Sequence, residues 1–381
     1  MLVHLLILNY NGRALLAECL PSVLLAAESS RHRCDVAVID NSSTDGSAEW
    51  LADHFPTVRV IRCPNRGLCS YNEVVAALRG RIAVLLNNDV KLDRDCLDPL
   101  LRPLVGEQSD CFMTAPRCYQ FDETTYEGFR TAVRWRWGLV QATALFPGHV
   151  QGIHQPGPTA SSGAVMAVDR RKFVELGGFD PLYLPGRIED LDLAFRGWLH
   201  GYCACYVPEA LSWHKGMVTF AERFGVSGCD RLALRNTLLF EWKNVRHPAN
   251  VALALAGLAV RWGVEVAFAP WTSPSRRWTL TAALAAAWRR WRQVREKNKN
   301  EAGGEGPSGP DFARPRGKLR REFEFFRRFS PRRMAADAAH ALSSVTAGVM
   351  RTRRPAARPG ADSVPAGPVF AERSRKVCQL P

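Results

Sequence analysis

The sequence lacks several features that would point at once to a common class of protein. It has no GxGxxG after its first apolar run, which argues against dinucleotide binding of the usual kind. Its 11 cysteines include no CxxC pair, and an odd number without regular spacing favours reduced thiols on the cytoplasmic side over a disulfide framework. Cys203 and Cys205 flank a single alanine in an apolar stretch, which we interpret as packing rather than metal ligation.

Signals for secretion and for membrane insertion are missing as well. The first twelve residues, MLVHLLILNYNG, have neither a basic region nor a small-residue cleavage site, so we interpret them as the first strand of the fold. No later uninterrupted apolar run reaches the length of about 18 residues expected of a membrane span. A hydrophobic content of 46% then predicts a chain that is globular over most of its length.

Charge is distributed unevenly along the chain. The net charge is +14, yet residues 1–240 carry 24 Lys and Arg against 26 Asp and Glu, a balance of −2. Residues 241–381 carry 27 against 11, a balance of +16. A basic second part predicts an acidic partner, either an anionic membrane or nucleic acid. No nucleic-acid motif accompanies the charge, so we predict an anionic membrane surface and no nucleic acid.

The first ninety residues alternate strand and helix patterns. Apolar strands are predicted at Val3–Leu8, Asp35–Ile39, Val58–Ile61 and Ile82–Leu86, each separated from the next by a helical or capping pattern. This alternation is typical of an α/β fold with a Rossmann-like, mostly parallel sheet flanked by helices.

Polar residues stand where each predicted strand ends. Asn9, Asp40, Asn65 and Asp89 would share one rim of a parallel sheet, which is where ligands bind in open α/β folds. A carboxylate at Asp40 could accept hydrogen bonds from a nucleobase. Asp89 could hold a divalent cation that bridges a diphosphate. The alternative is that Asn87-Asn88-Asp89 is turn chemistry alone.

Six segments, in order, resemble glycosyltransferase family 2, whose members have the GT-A fold. They are LNYNG (8–12), VIDNSSTDGS (38–47), NRGLCSYN (65–72), LLNNDV (85–90), the stretch 162–202 with its Glu-Asp pair, and YVPEALSWHKG (206–216). The resemblance covers about residues 1–240 and is strongest to the rhamnosyltransferase-like, cell-surface polysaccharide branch.

The resemblance implies a nucleotide site and a metal site. Asp40 would contact the base, with Asn9 and the Asn65–Asn72 loop holding base and ribose. The segment 87–89 occupies the place of the family's DxD motif, with Asn88 on the nucleotide side. Its last position, Asp89, would bind Mn²⁺ or Mg²⁺, although the first position carries Asn where an acid is usual.

The resemblance also implies a completed metal site and a catalytic base. His214 matches a histidine that can complete the metal site, although a packed histidine is the alternative. Asp190, beside Glu189, matches the base that deprotonates the acceptor. Glu189, Asp190 and Asp192 place three carboxylates within four residues, so mutual repulsion should raise at least one pKa. Alternatively, these acids favour only the positive end of a helix.

The chain is predicted to have three parts. Residues 1–240 form the GT-A domain, 241–300 a helical and possibly membrane-interfacial extension, and 301–381 a basic, largely disordered tail. Within the extension, Val251–Ala269 is apolar except for Arg261 and Glu265, and tryptophans lie beside arginines after it, as suits a bilayer interface. An ordinary helical subdomain packed on the core is the alternative.

Together these patterns predict an inverting, metal-dependent glycosyltransferase. It would move a sugar from a UDP or dTDP donor to a glycan or lipid-linked acceptor in cell-surface polysaccharide synthesis, as a peripheral protein at the inner face of the cell membrane. Two alternatives are a nucleotidyltransferase and a catalytically degenerate GT-A membrane scaffold. The absence of a triphosphate-binding loop after strand one argues against the former, and the presence of Asp89 and Asp190 against the latter.

Overall fold

The computed structural model describes residues 1–106, 109–216, 218–272, 278–301, 316–337 and 339. The strands are β1 (Leu2–Asn9), β2 (Arg33–Asp40), β3 (Arg59–Arg62), β4 (Ile82–Asn87), β5 (Val90–Leu92), β6 (Cys111–Tyr119), β7 (Tyr126–Gly128), β8 (Ala132–Arg136), β9 (Leu139–Thr143), β10 (Gly157–Pro158), β11 (Val165–Asp169) and β12 (Cys203–His214). The helices are α1 (Arg13–Ser29), α2 (Ser47–His54), α3 (Ser70–Ala77), α4 (Leu97–Leu101), α5 (His149–Gly152), α6 (Arg170–Glu175), α7 (Glu189–His200), α8 (Val218–Asn244), α9 (Pro248–Phe268), α10 (Thr279–Glu301) and α11 (Arg316–Arg328).

A ten-stranded sheet organises the fold, in the order β10-β12-β6-β11-β4-β1-β2-β3, with β5 added to β12 and β7 to β6. The four strands β3, β2, β1 and β4 are parallel. Consecutive residues of β1, β2 and β4 are buried, as expected for strands covered on both faces, whereas the short edge strand β3 is exposed at Arg59 and Arg62. This confirms the predicted α/β class, with a mostly parallel sheet of GT-A type flanked by helices.

The second half of the sheet brings distant segments to the rim that follows β1 and β4. Strand β11 runs antiparallel to β4 and to β6, and β12 then runs parallel to β6. The short β5 pairs with the end of β12, with Val90 opposite His214. This register brings His214 next to the residue before Val90, which is Asp89.

A separate apolar cluster joins the helices beyond the sheet. It combines the β8–β9 hairpin and α7 with α8, α10 and α11, and Phe325 and Phe329 of the last segment are almost fully buried in it. In the predicted disordered tail, therefore, residues 316–337 are instead mainly helical and packed. Residues 302–315 and 340–381 lie outside the described residues.

The predicted boundary at residue 240 falls inside α8, which continues to Asn244. Lys243 and Asn244 contact Asp192 of α7, so this end of α8 is part of the core that supports the first domain. The following helix, α9, is different. The segment Pro248–Trp271 is long and apolar enough to cross a membrane by length and composition, with a mean hydropathy of 1.7 in its best window and none of that window buried.

Candidate active site

The ends of β1, β2 and β4 share one hydrogen-bonded cluster of polar side chains. Asn9 donates from Nδ2 to Asp40 Oδ1 at 3.2 Å, and Asn88 donates from Nδ2 to Asn9 Oδ1 at 2.8 Å. All three side chains are buried. Gly12 allows the close approach, because a Cβ there would lie 2.0 Å from Asn88 Nδ2. At the predicted rim, Asn9, Asp40 and Asn88 therefore lie together and are hydrogen-bonded to one another.

The loop after β3 places its two predicted residues in different settings. Asn65 is exposed and its Oδ1 accepts from the backbone N–H of Gly67 at 3.1 Å. Asn72 donates to Phe179 O at 2.8 Å and accepts from Phe179 N at 2.9 Å. The amide of Asn72 therefore fastens α3 to the segment before α7, which makes it a positioning residue in this structure.

Asp89 and His214 meet at the same rim, as predicted from the resemblance. His214 Nε2 lies 3.3 Å from Asp89 Oδ1, and its other ring nitrogen, Nδ1, lies 3.2 Å from Glu127 Oε1. Burial alone would lower the pKa of His214, but its hydrogen bonds to Asp89 and Glu127 raise that pKa to about 9. The hydrogen bond with His214 in turn lowers the pKa of Glu127.

This donor set fits a hard divalent cation. A carboxylate oxygen of Asp89 and the imidazole Nε2 of His214 face one another, and both are ligands that Mn²⁺ accepts. Glu127 fixes the ring by its contact with Nδ1, which is the arrangement that second-shell carboxylates provide to metal-bound histidines. Binding of a cation at Nε2 requires that His214 release the proton that the two carboxylates otherwise favour.

Asp190 stands at the start of α7 with its carboxylate held by the loop before β11. Its Oδ2 accepts hydrogen bonds from the hydroxyl of Ser161 and from the backbone N–H of Gly163, the latter at 3.1 Å. Glu189 differs: the residue is half-buried, but its Oε2 is enclosed and has no hydrogen-bond partner among the described residues. Burial, reinforced by the charge of Asp190, raises the pKa of Glu189 to about 8.

The backbone before this pair adopts an uncommon conformation. Arg187 and Ile188 both have positive φ, of 84° and 76°, which is costly for a β-branched residue such as Ile188. Asn236 of α8, fully buried, donates to the carbonyl oxygens of Tyr183, Gly186 and Arg187 at 2.7–2.9 Å. These hydrogen bonds from Asn236 stabilise the strained turn, which in turn sets the direction in which the side chains of Glu189 and Asp190 project from α7.

The third carboxylate of the acidic cluster has another environment. Asp192 is fully buried and accepts hydrogen bonds from four side chains, those of Tyr183, Arg196, Lys243 and Asn244. Burial opposes its ionisation, but the ammonium and guanidinium groups outweigh burial and lower its pKa. Burial and then repulsion by Asp190 raise the pKa of Glu189, whereas the pKa of Asp192 is lowered because Asp192 points into a cationic pocket.

One aromatic side chain connects the acidic and metal regions. Phe129 packs against His214 with ring centroids 6.5 Å apart. It also lies against Gly163, where a Cβ would come within 2.0 Å of its ring and where φ is +67°. Because Gly163 donates to Asp190, the two candidate regions are separated by little more than this ring.

Sequence reasoning missed Glu127, Ser161 and Asn236. Glu127 lies in the aromatic-rich stretch that carries no recognisable motif, and only the pairing of β7 with β6 brings it to His214. Ser161 directly precedes the segment 162–202 that resembles the family, and this position next to the segment was the only sequence feature that pointed to it. Asn236 lies in an amphipathic helix about fifty residues from the carbonyls that it binds, and no sequence signal marks it.

Comparisons with known proteins find similarity to glycosyltransferases over part of the chain. The model of "Glycosyl transferase family 2" matches residues 5–162. A curated relative, the putative polypeptide N-acetylgalactosaminyltransferase 10 of Drosophila melanogaster, is 26% identical over 176 residues, which cover 44% of this chain and 28% of that protein. The chain thus matches under a third of the length of this relative.

Solved structures of glycosyltransferases resemble this chain with TM-scores below 0.5 and low sequence identity. TarS of S. aureus in complex with UDP-GlcNAc has a TM-score of 0.49 at 12% identity, covering 76% of this chain and 81% of that one. A mannosyltransferase from Pyrobaculum calidifontis in complex with GDP-Man and Mn²⁺ has a TM-score of 0.45 at 19% identity, covering 75% and 85%. The match to the glycosyl transferase family 2 model thus extends over residues 5–162, which is less than half of this chain.

Proposed function

We propose that this protein transfers a sugar from a UDP or dTDP donor to a glycan or lipid-linked acceptor, with inversion at the anomeric carbon. The observation that carries the proposal is the pairing of Asp89 with His214 beside Asp190, on the rim where the polar ends of β1, β2 and β4 meet. Asp89 lies within the family match at 5–162, whereas Asp190 and His214 lie beyond it.

The residues divide into a donor side and an acceptor side. Asp40, held by Asn9, lies on the side proposed for the base and ribose. Asp89 and His214 would hold Mn²⁺ or Mg²⁺, which acts as a Lewis acid for the leaving diphosphate. Asp190 is the proposed general base, with Ser161 and Gly163 orienting its Oδ2. A single displacement at the anomeric carbon by the deprotonated acceptor inverts its configuration.

Removal of the metal-binding carboxylate tests the donor side. We expect Asp89→Ala to weaken Mn²⁺-dependent binding of UDP or dTDP by about 100-fold or more, because no other carboxylate lies within 87–89. Glu127→Gln should weaken Mn²⁺ binding by about 10–100-fold, through the orientation of His214. Calorimetric titration of nucleotide with and without Mn²⁺ measures both.

Two further variants serve as controls for this experiment. Asp95→Ala removes an exposed carboxylate six residues away and should bind nucleotide like the parent protein. Asp40→Ala should weaken nucleotide binding equally with and without Mn²⁺. If Asp89→Ala retained the full Mn²⁺ dependence, Asp89 would not belong to the site.

We also propose that α9 rests in the surface of a membrane, at the inner face of the cell membrane. Its charged residues Arg261 and Glu265 lie on the half-buried side, where Glu265 accepts hydrogen bonds from the backbone N–H groups of Leu280 and Thr281 at 2.6 and 3.0 Å. Apart from these two residues, the surface of the helix is largely apolar and exposed, with Leu255 63% and Phe268 58% accessible. A continuous exposed apolar face of this kind is typical of a lipid or protein interface.

A position along the membrane surface suits this helix better than a crossing. The middle of α9 packs on the β8–β9 hairpin, because a Cβ on Gly257 would lie 2.1 Å from the backbone nitrogen of Gly138. A crossing helix would carry that hairpin into the hydrocarbon. Exposed arginines of α10, Arg289, Arg292 and Arg295, supply positive charge for anionic headgroups.

The membrane proposal is tested by changing the apolar face alone. We expect the combined variant Leu255→Ser, Val260→Ser, Val264→Ser and Phe268→Ser to lose the part of liposome binding that high salt does not remove. The measurement is co-sedimentation with phosphatidylglycerol vesicles across a salt series. Leu25→Ser with Val174→Ser, exposed apolar residues on α1 and α6, is the control and should bind like the parent protein. Parent protein that stays in the supernatant at low salt would refute the membrane proposal.

A further inference from the structure

Three cysteine side chains meet where β6 and β12 begin. Cys111 is the first residue of β6. Cys203 and Cys205 lie on the adjacent strand β12 with one residue between them, so their side chains share a face. The sulphur atoms of Cys203 and Cys205 are 3.8 Å apart, and all three sulphurs lie within 4.8 Å of one another. In the described part of the chain, these cysteines are free thiols.

The separation of these sulphurs is that of ligands around one soft ion. A Zn–S bond of about 2.3 Å in tetrahedral geometry places neighbouring sulphurs about 3.8 Å apart. The pair Cys203–Cys205 already has this separation, and Cys111 needs to approach by about 1 Å at most. Cys203 and Cys205 are half-buried, so an ion and a fourth ligand from solvent can reach them.

A buried cation lies beside the cluster. Lys172 is buried, and its Nζ donates to the carbonyl oxygen of Cys111 at 2.9 Å. The thiolate form of cysteine is the metal ligand, and a positive charge close by favours the thiolate over the thiol.

This cluster is distant from the candidate active site. Thr114 of β6 pairs with Ala167 of β11, which pairs with Val84 of β4. Cys111 precedes Thr114 by three residues, whereas Asn87 follows Val84 by three, and β6 runs in the same direction as β4. Six residues of strand correspond to about 20 Å, so the cysteines lie at the edge of the sheet opposite the donor rim.

We propose that Cys111, Cys203 and Cys205 bind a thiophilic d¹⁰ metal ion such as Zn²⁺, with water as a fourth ligand. The ion would fasten the starts of two adjacent strands and is separate from the cation proposed at Asp89. Loading releases the thiol protons of the three cysteines to solvent, including that of Cys111, which otherwise donates to Met113 O at 3.3 Å. This revises the interpretation of Cys203 and Cys205 as packing residues.

Thiolate ligation has a spectroscopic signature that the donor rim cannot produce. We expect the full-length reduced protein to bind one equivalent of Cd²⁺ or Co²⁺ with a thiolate-to-metal charge-transfer band, and Zn²⁺ to displace the probe. The band should disappear in Cys203→Ser and in Cys205→Ser. It should persist in Asp89→Ala, which separates this proposal from the one for the donor site.

A control cysteine and a stability measurement complete the test. Cys34→Ser, a half-buried thiol on β2 outside the cluster, should keep the full band. Added Zn²⁺ should raise the thermal midpoint of the parent protein and of Cys34→Ser, but not that of Cys205→Ser, because an ion that binds the native state stabilises it. Circular dichroism shows whether the serine variants fold. The proposal is overturned if the parent protein shows no charge-transfer band, or if the band survives in the Cys203→Ser, Cys205→Ser double variant.

Discussion

Asp190→Asn is expected to reduce sugar transfer by about 10²–10⁴-fold while the affinity for the donor stays unchanged. Asparagine keeps the size of the side chain and can still accept from the backbone N–H of Gly163, which lies 3.1 Å from Asp190 Oδ2. It removes the basic oxygen that would take the proton of the acceptor hydroxyl. Transfer rates under saturating donor, together with nucleotide titration, separate this effect from a binding defect.

Glu189→Gln is the matched control at the neighbouring position. Burial and the charge of Asp190 raise the pKa of Glu189 to about 8, so its carboxyl is mostly neutral at pH 7 and glutamine resembles that form. We therefore expect less than about a tenfold loss of transfer. If Glu189→Gln abolished transfer and Asp190→Asn did not, the base would be Glu189. If neither variant mattered, the acidic pair would have no catalytic role.

The same control has a defined pH signature in stability. A carboxyl whose pKa is raised in the folded state binds a proton that the unfolded chain has lost, so the free energy of unfolding falls as pH rises from 4.5 to about 8. Glu189→Gln lacks this contribution. The stability difference between parent and variant should therefore move in favour of the variant over that window. Glu241, whose pKa is also raised to about 8 by burial, is present in both proteins and cancels.

The first half of the fold follows from local sequence patterns. Ile82–Leu86 was predicted as a buried strand because five apolar residues precede polar ones, and β4 covers this stretch and ends at Asn87. Strands β1 and β2 contain similar apolar runs, and β1 pairs with β4. Strands β1, β2 and β3 lie side by side in their order along the chain, as consecutive strands often do, whereas β4 returns to pair with β1.

The candidate site was predicted in part. Asn9, Asp40 and Asp89 follow strands that the sequence identifies, so their common rim could be derived. Asp89 and His214 are brought together by the pairing of β5 with β12, across more than a hundred residues. Such a contact depends on which edges pair, and the resemblance supplied it where composition and periodicity could not.

The packing of residues 316–337 could not be derived from composition. The basic composition of 301–381 predicted a largely disordered tail, yet Phe325 packs edge to face against Phe195 of α7 with centroids 4.9 Å apart. The carboxylate of Glu322 accepts hydrogen bonds from the backbone N–H groups of Arg246 and His247, just before α9 begins. Each contact joins segments about seventy or more residues apart, which local patterns do not encode.

The pocket around Asp192 explains why α8 and α7 belong to one core. Asp192 is fully buried, and the Lys243 ammonium lies 2.9 Å from it while also contacting Asp180 at 2.6 Å. Arg196 Nε lies 2.7 Å from the same carboxylate. If one cationic partner is removed, the carboxylate remains buried with part of its charge uncompensated. The free energy of unfolding falls because of this uncompensated buried charge.

Lys243→Met is therefore expected to lower the free energy of unfolding by about 3 kcal/mol, near the lower end for a broken buried pair because Arg196 remains. Its effect should shrink as the pH falls. The pKa of Asp192 is depressed below its ordinary 3.8 in the folded state, so its stabilisation is present above that value and is lost as the pH falls below it. Urea unfolding of parent and variant between pH 3 and pH 7 measures both the loss and its pH dependence.

Arg62→Met breaks an exposed contact with Glu49 and should leave the unfolding midpoint unchanged. The double variant Asp192→Asn, Lys243→Met should be more stable than Lys243→Met alone, since it removes the stranded charge. A Lys243→Met protein as stable as the parent at pH 7 would show that Arg196 compensates Asp192 by itself.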